Sequence, residues 1–254
     1  MPFLKDRRKR EEALLPKSLF RYEPKFRRAR VWSNIELKKI APYFKGAIIN
    51  LSGWADEDKT GGTYREYFVN ASNYYISNKE GGAQKGKKLR LSDSLAIDLE
   101  FPVSKEHIQA YDCDFVHTVL EHVFNIFQAV ENLCQMSRDA IICVVPFVQI
   151  IHQSSDYTDY WRFTPDALER LFNQHGFKTV YACGGPNLEA TSLYYLWVVS
   201  KKPGKWGKIF GASPQLSELP DGEYIYKPLT ERMRTLLRLL LSSLWRRAER
   251  YKSS

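Results

Sequence analysis

HQSSDYTDYWRFTPDALERLFNQHGF, residues 152–177, follows an apolar run at 140–146 that reads AIICVVP. The run is short, rich in β-branched residues and stopped by Pro146, which is the pattern of a buried strand. Thr164 then marks a helix start, with Pro165 at the first helical position and Asp166 and Glu169 in the early turns. Between strand and helix lie His152, Asp156, Asp159, Tyr160, Trp161 and Arg162. Open α/β sheets put their ligand crevices at the carboxyl ends of strands, so a loop this polar and aromatic is a candidate binding loop. Arg162 is expected to pair with an acid such as Asp159 or Asp156, because a partly buried guanidinium needs partners.

Other apolar runs extend the pattern on both sides. Residues 47–51 (AIINL), 73–77 (NYYIS), a stretch ending at Ile97-Asp98, 113–119 (CDFVHTV), 179–183 and 192–200 (SLYYLWVVS) all read as strands. The last is long enough to turn back antiparallel. Ser33 and Glu36 have the spacing of a capping box, so a helix is expected to begin at Ser33. Residues 124–136 have helical spacing, with Phe124, Phe127, Val130, Leu133 and Cys134 on one face. Strands alternating with helices through the first five predict an α/β fold, a Rossmann-like three-layer sandwich with a mostly parallel seven-stranded sheet.

The chain has 254 residues and a net charge of +9, unevenly distributed. Residues 1–30 carry 11 Lys+Arg against 4 Asp+Glu, and residues 227–254 carry 8 against 2, so residues 31–226 are left with −4. This divides the chain into a basic N-terminal arm (1–30), a body (31–205), and a linker with a basic amphipathic C-terminal helix (206–254). In that last segment Leu236, Leu237, Leu240, Leu244 and Trp245 recur at helical spacing with Arg234, Arg238 and Arg246 on complementary positions. Such a helix either lies on an anionic membrane surface or packs on protein, the body or a second copy. The N-terminus lacks the apolar stretch of a secretory signal, and the four cysteines lack metal-ligand pairing and read as buried thiols. The expected location is the cytoplasm, with a possible peripheral membrane role.

The runs IDLEFP (97–102), YDCDFVHTVLEHV (111–123), VVP (144–146), DYWRFT (159–164) and HGF (175–177), with His152, resemble the class I S-adenosylmethionine-dependent methyltransferases. The likeness is strongest to the type 11-like branch found among enzymes that decorate bacterial surface glycans. It covers roughly residues 44–183 and implies a methyltransferase-like domain over 31–205, with S-adenosylmethionine as cofactor. The resemblance assigns the cofactor to Asn50, Ser52, Gly53, Asn78, Asp98 and Glu121. Asp98 takes the place of the adenine-amine contact and Asn78 that of an acid on the ribose. The Gly-rich cofactor turn is degenerate. Where the family has LDxGxG, this chain has INLSGW (49–54), with Ser52 and Trp54 in the glycine places. A Cβ there restricts the positive-φ conformations such a turn needs.

Methyl transfer to a hydroxyl needs a base with a pKa near the working pH. His122 at the end of the fourth strand is the first candidate, followed by His152 and Asp156. His117, inside the strand pattern, reads as a packing histidine. Glu121 either touches a ligand or caps the next helix. Asp159, Tyr160, Trp161 and Arg162 are the substrate-side candidates, Tyr160 and Trp161 by stacking on a sugar or base. Five histidines over 107–175 without HxxxH or CxxC pairing predict no dedicated metal site, and the basic ends lack a nucleic-acid recognition element. Two functions are therefore expected. One is methylation, most simply O-methylation, of a small-molecule or glycan acceptor. The other is a catalytically inactive, methyltransferase-like binding or scaffold protein in a surface-glycan assembly system, as a homo- or hetero-oligomer.

Overall fold

Seven strands build one sheet: β1 (Gly46–Leu51), β2 (Ala71–Asn78), β3 (Leu95–Ala96), β4 (Tyr111–His117), β5 (Ser137–Val148), β6 (Lys178–Gly185) and β7 (Leu193–Ser200). They lie in the order β3-β2-β1-β4-β5-β7-β6. Only β7 runs against its neighbours. The computed structural model describes residues 27–58, 60–79, 94–185 and 192–211. Most of the basic arm and the whole C-terminal helix expectation fall outside these residues.

The layers follow from strand alternation. In β1, Ile48 enters one core and Ile49 the other, and Ile141 and Ile142 in β5 divide in the same way. On one face, α2 (Ile126–Met136) and α3 (Pro165–Asn173) cover Ile49, Val116, Ile141 and Cys143. On the other, α1 (Arg27–Ile40) and α4 (Pro203–Phe210) cover Ile48, Phe115, Ile142 and Val144. Trp206 of α4 is fully buried and stacks on Phe44 at 4.5 Å between ring centroids. The body therefore takes in both Arg27–Arg30 and Trp206, which the sequence divisions at 30 and 206 leave out. The expected fold, a Rossmann-like three-layer sandwich with a mostly parallel seven-stranded sheet, is the one observed.

Three local expectations change. α1 begins at Arg27, so Ser33 is mid-helix and fully buried; its hydroxyl donates to the Arg30 carbonyl rather than capping. Tertiary packing of Ala29 and Leu37 carries the helix through the position that local spacing marks as a start. α2 begins at Ile126, and Phe124 and Phe127 are 63% and 67% exposed. Its buried face is Ile126, Ala129, Val130 and Leu133. β5 continues past Pro146 to Val148, with a register shift against β7 that accommodates the missing N–H. The helix after the long loop is as expected: Thr164 Oγ1 accepts from Ala167 N at 3.2 Å and Pro165 opens α3.

Candidate functional site

The carboxyl ends of β1 to β5 meet along one edge of the sheet, and the site residues fall into two groups there. On the β1–β3 side, the β1 loop is laced to β2. Gly53 N donates to Ser77 O, and Trp54 N donates to Asn78 Oδ1 at 2.9 Å while Asn78 Nδ2 donates back to Trp54 O at 3.2 Å. Ile97 N donates to Asn78 O, which brings Asp98 to the same edge. Gly53, Asn78 and Asp98 thus lie together at one edge of the sheet.

Within the β1 loop Ser52, Trp54 and Asp56 take φ of 53°, 52° and 60°. The left-handed conformations persist although the glycines do not, each costing about 1–2 kcal/mol for a residue with a Cβ. Hydrogen bonds outweigh that cost. Asp56, nearly buried, accepts from Asn50 Nδ2 (2.7 Å), the Tyr74 hydroxyl (2.8 Å) and Arg65 N (2.9 Å). Burial pushes its pKa up all the same. Two residues on, burial also pushes Asp58 up, yet the Tyr67 hydroxyl and the Thr60 and Gly62 N–H groups outweigh it and hold its pKa to about 2. Gly53 itself is required, since a Cβ there would lie 2.6 Å from the Asn50 amide. Asn50 therefore braces the loop and does not face the crevice. Asp98 pairs with Lys79 at 2.9 Å and accepts from Glu100 N.

The β4–β5 side differs in kind. Glu121 is fully buried, and neither carboxyl oxygen has a hydrogen-bond partner among the described residues. Burial pushes its pKa up to about 8, so the group is a neutral acid at pH 7. Its backbone oxygen takes the N–H groups of Tyr160 and Trp161, tying the long loop to the end of β4. His122 Nδ1 lies 2.8 Å from the Thr158 carbonyl, which only accepts, so Nδ1 carries the proton and Nε2 the lone pair. Desolvation lowers the His122 pKa, against the pull of the Thr158 carbonyl. His152 sits edge-on to His122, with ring centroids 4.7 Å apart. Ligating atoms of Glu121, His122 and His152 all lie within 4.8 Å of one another.

Arg162 and Asp159 form the expected pair, through contacts of 2.5 and 2.7 Å, and Asp159, whose side chain is 1% exposed, also accepts from His152 N. The guanidinium holds the Asp159 carboxyl low despite burial. These two residues shape the loop; Asp159 is sealed from a substrate, whereas the Arg162 side chain remains 25% exposed. Trp161 Nε1 donates to the Val123 carbonyl and its ring joins the core. Tyr160 is exposed, edge-on to Phe124 at 5.2 Å. Asp156 is exposed, accepts from Ser155 and stands outside the Glu121–His122–His152 group, so the catalytic role expected of it has no support in the geometry.

Arg30, which the sequence division places in the basic arm, is a neighbour of these groups that the division does not reveal. It donates to His117 Nδ1 at 2.9 Å, which leaves His117 Nε2–H to donate to Ser33 Oγ, also at 2.9 Å. Burial, with Arg30 beside it, keeps His117 neutral, as a packing histidine. Arg30 also acts electrostatically on Glu121, His122 and His152, so α1 brings a cation to the crevice wall. No salt bridge to Arg30 is present among the described residues. Sequence offered one signal for it, the apolar positions Ala29 and Leu37 that extend the helix toward the N-terminus.

No protein-family model matches the chain, and no curated protein matches it. Among solved structures it is similar to the 1,6-didemethyltoxoflavin-N1-methyltransferase of Burkholderia thailandensis: 12% identity, 67% of this chain and 80% of that one, TM-score 0.45. It is also similar to the magnesium protoporphyrin IX methyltransferase of Synechocystis, at 11% identity, 68% and 85% coverage and TM-score 0.43. A [4+2]-cyclase is similar at 9% identity, 65% and 80% coverage and TM-score 0.45. Likenesses this distant say nothing about chemistry.

Proposed function

We propose that the protein transfers a methyl group from S-adenosylmethionine to a hydroxyl of a small-molecule or glycan acceptor. The observation that carries this reading is His122: a neutral imidazole whose Nδ1–H is fixed by Thr158, with its Nε2 lone pair at the crevice beside a buried acid. That is the arrangement of a general base. The cofactor supplies an electrophilic methyl group, and the chain's part is to bind, orient and exclude water.

The residues on the β1–β3 side fit such a cofactor. Asn78 spends one lone pair and one N–H on Trp54 and keeps another of each for ribose hydroxyls. Asp98 is held by Lys79, an exposed lysine that a ligand amine can replace. The turn at 52–54 keeps positive φ without glycine. On the acceptor side, Tyr160 and Phe124 offer aromatic faces to a sugar ring, and Trp161 and the Asp159–Arg162 pair hold the loop that carries Tyr160.

A second reading, a cofactor-free binding subunit of a surface-glycan system, is favoured by the lacing of Asn50, Asn78 and Asp98 to their own chain. Titration of S-adenosylhomocysteine into the full chain separates the two. Saturable binding that weakens about tenfold or more in Asp98→Ala is expected, since a hydrogen bond to a charged group contributes about 1.5–3 kcal/mol. No binding to the wild-type protein leaves the scaffold reading.

A further inference from the structure

We propose that Glu121, His122 and His152 form a binding site for a divalent transition-metal ion. The first observation is their juxtaposition: one carboxylate and two imidazoles from the ends of two adjacent strands, with ligating atoms within 4.8 Å and Glu121 Oε1 3.8 Å from His122 Nε2. The second is independent of the first. A carboxyl sealed from water, with no hydrogen-bond partner to either oxygen among the described residues, weakens the fold, and a cation placed between it and the histidines removes that cost.

The outer contacts are those of ligating histidines. Metal-binding imidazoles give their second nitrogen to a carbonyl or carboxylate, which sets tautomer and ring orientation. His122 Nδ1 has the Thr158 carbonyl; His152 Nδ1 lies 3.3 Å from Asp159 Oδ2 and also meets the Gln149 side-chain amide. Asp159 is in turn fixed by Arg162. Tetrahedral ligands at metal–N and metal–O distances of 2.0–2.2 Å stand about 3.3 Å apart, so binding requires the three side chains to close by up to about 1.5 Å.

The donor set N₂O suits Zn²⁺ and its divalent neighbours, while Mg²⁺ and Ca²⁺ prefer oxygen alone. Arg30 and Arg162 add positive charge nearby; the Asp159 carboxylate opposes it, and so does Glu121 once an ion displaces its proton. Three protein ligands leave a position for water or an acceptor oxygen, the pattern of a catalytic rather than a structural ion. In the metal-bound form the lone pair of His122 is a ligand, and the ion takes over the lowering of the hydroxyl pKa. The site itself does not rest on methyl transfer.

The test uses the full chain, stripped with a chelator and dialysed, titrated with Zn²⁺ by calorimetry and with Co²⁺ by visible absorption. One equivalent of each is expected to bind. Glu121→Gln and His152→Ala should each weaken it by at least about tenfold, the loss that follows even removal of an outer-shell partner. His175→Ala, at the far end of α3, should bind as the wild type does. Should a ligand variant fail to fold, imidazole nitrogen resonances of the wild-type protein decide: Zn²⁺ should shift His122 and His152 and leave His117 and His175 in place. Absence of saturable uptake, uptake undiminished in both ligand variants, or shifts confined to other histidines overturns the proposal. Loss of S-adenosylhomocysteine binding with metal binding intact would overturn the methyl-transfer reading alone.

Discussion

The two ends of the crevice solve the burial of polar groups in opposite ways. On the β1–β3 side Asn50 is bonded to Asp56, Asn78 to the backbone of Trp54 and Asp58 to Tyr67. On the β4–β5 side Glu121 has no hydrogen-bond partner among the described residues, only His122 Nε2 at 3.8 Å, and that nitrogen is an acceptor. Bonded groups hold a shape, here three left-handed residues in a row of five. A buried group without a partner weakens the fold and gains only when something binds. One side is a built wall; the other holds the unbonded group on which the proposed chemistry rests.

The comparison breaks most visibly at Arg162. Arg162→Ala leaves Asp159 buried as an uncompensated charge, and a loss of about 3–5 kcal/mol is expected in denaturant unfolding. Changing Asp159 to Asn in the same chain should recover part of it. A variant that melts with the wild type would mean that the loop carries no net energy from the pair.

Glu121→Gln is the sharper test. The Glu121 pKa rises from 4.5 unfolded to about 8 folded, so the folded protein holds the extra proton and loses stability as pH climbs through that window. The amide keeps the neutral form at every pH. In chelator-treated protein it should therefore gain on the order of 4 kcal/mol over the wild type at pH 8 and nothing below pH 4.5. Parallel stability curves across that range would show that Glu121 is ionised and paired.

On the bonded side the effects are smaller. Asn78→Ala removes both bonds to Trp54 and should cost about 1–2 kcal/mol, with faster hydrogen exchange at Trp54 N. Ser52→Gly relieves a left-handed strain of about 1–2 kcal/mol but adds unfolded-chain entropy of about 0.5–1 kcal/mol, leaving a gain of about 0.5 kcal/mol. A loss there would show that the Ser52 side chain, not its backbone, holds the turn.

Seven strands, the reversal of the last, the Thr164 start of α3 and a nearby acid for Arg162, either Asp159 or Asp156, were all legible in the sequence. Each rests on residues close in the chain: alternation, a cap with its proline, an acid three positions from a base. It also marked Ser52 and Trp54 as odd in a turn that favours glycine. Only the tertiary structure decided that Arg30 belongs to the crevice, that Asn78 clasps Trp54, and that Phe124 and Phe127 face outward. It alone brought His152 to Glu121 and His122, across a span in which linear spacing shows no ligand pattern. Desolvation is the reason. Whether a carboxyl is neutral or a ring exposed depends on every atom packed around it, and those atoms come from strands far apart in the chain.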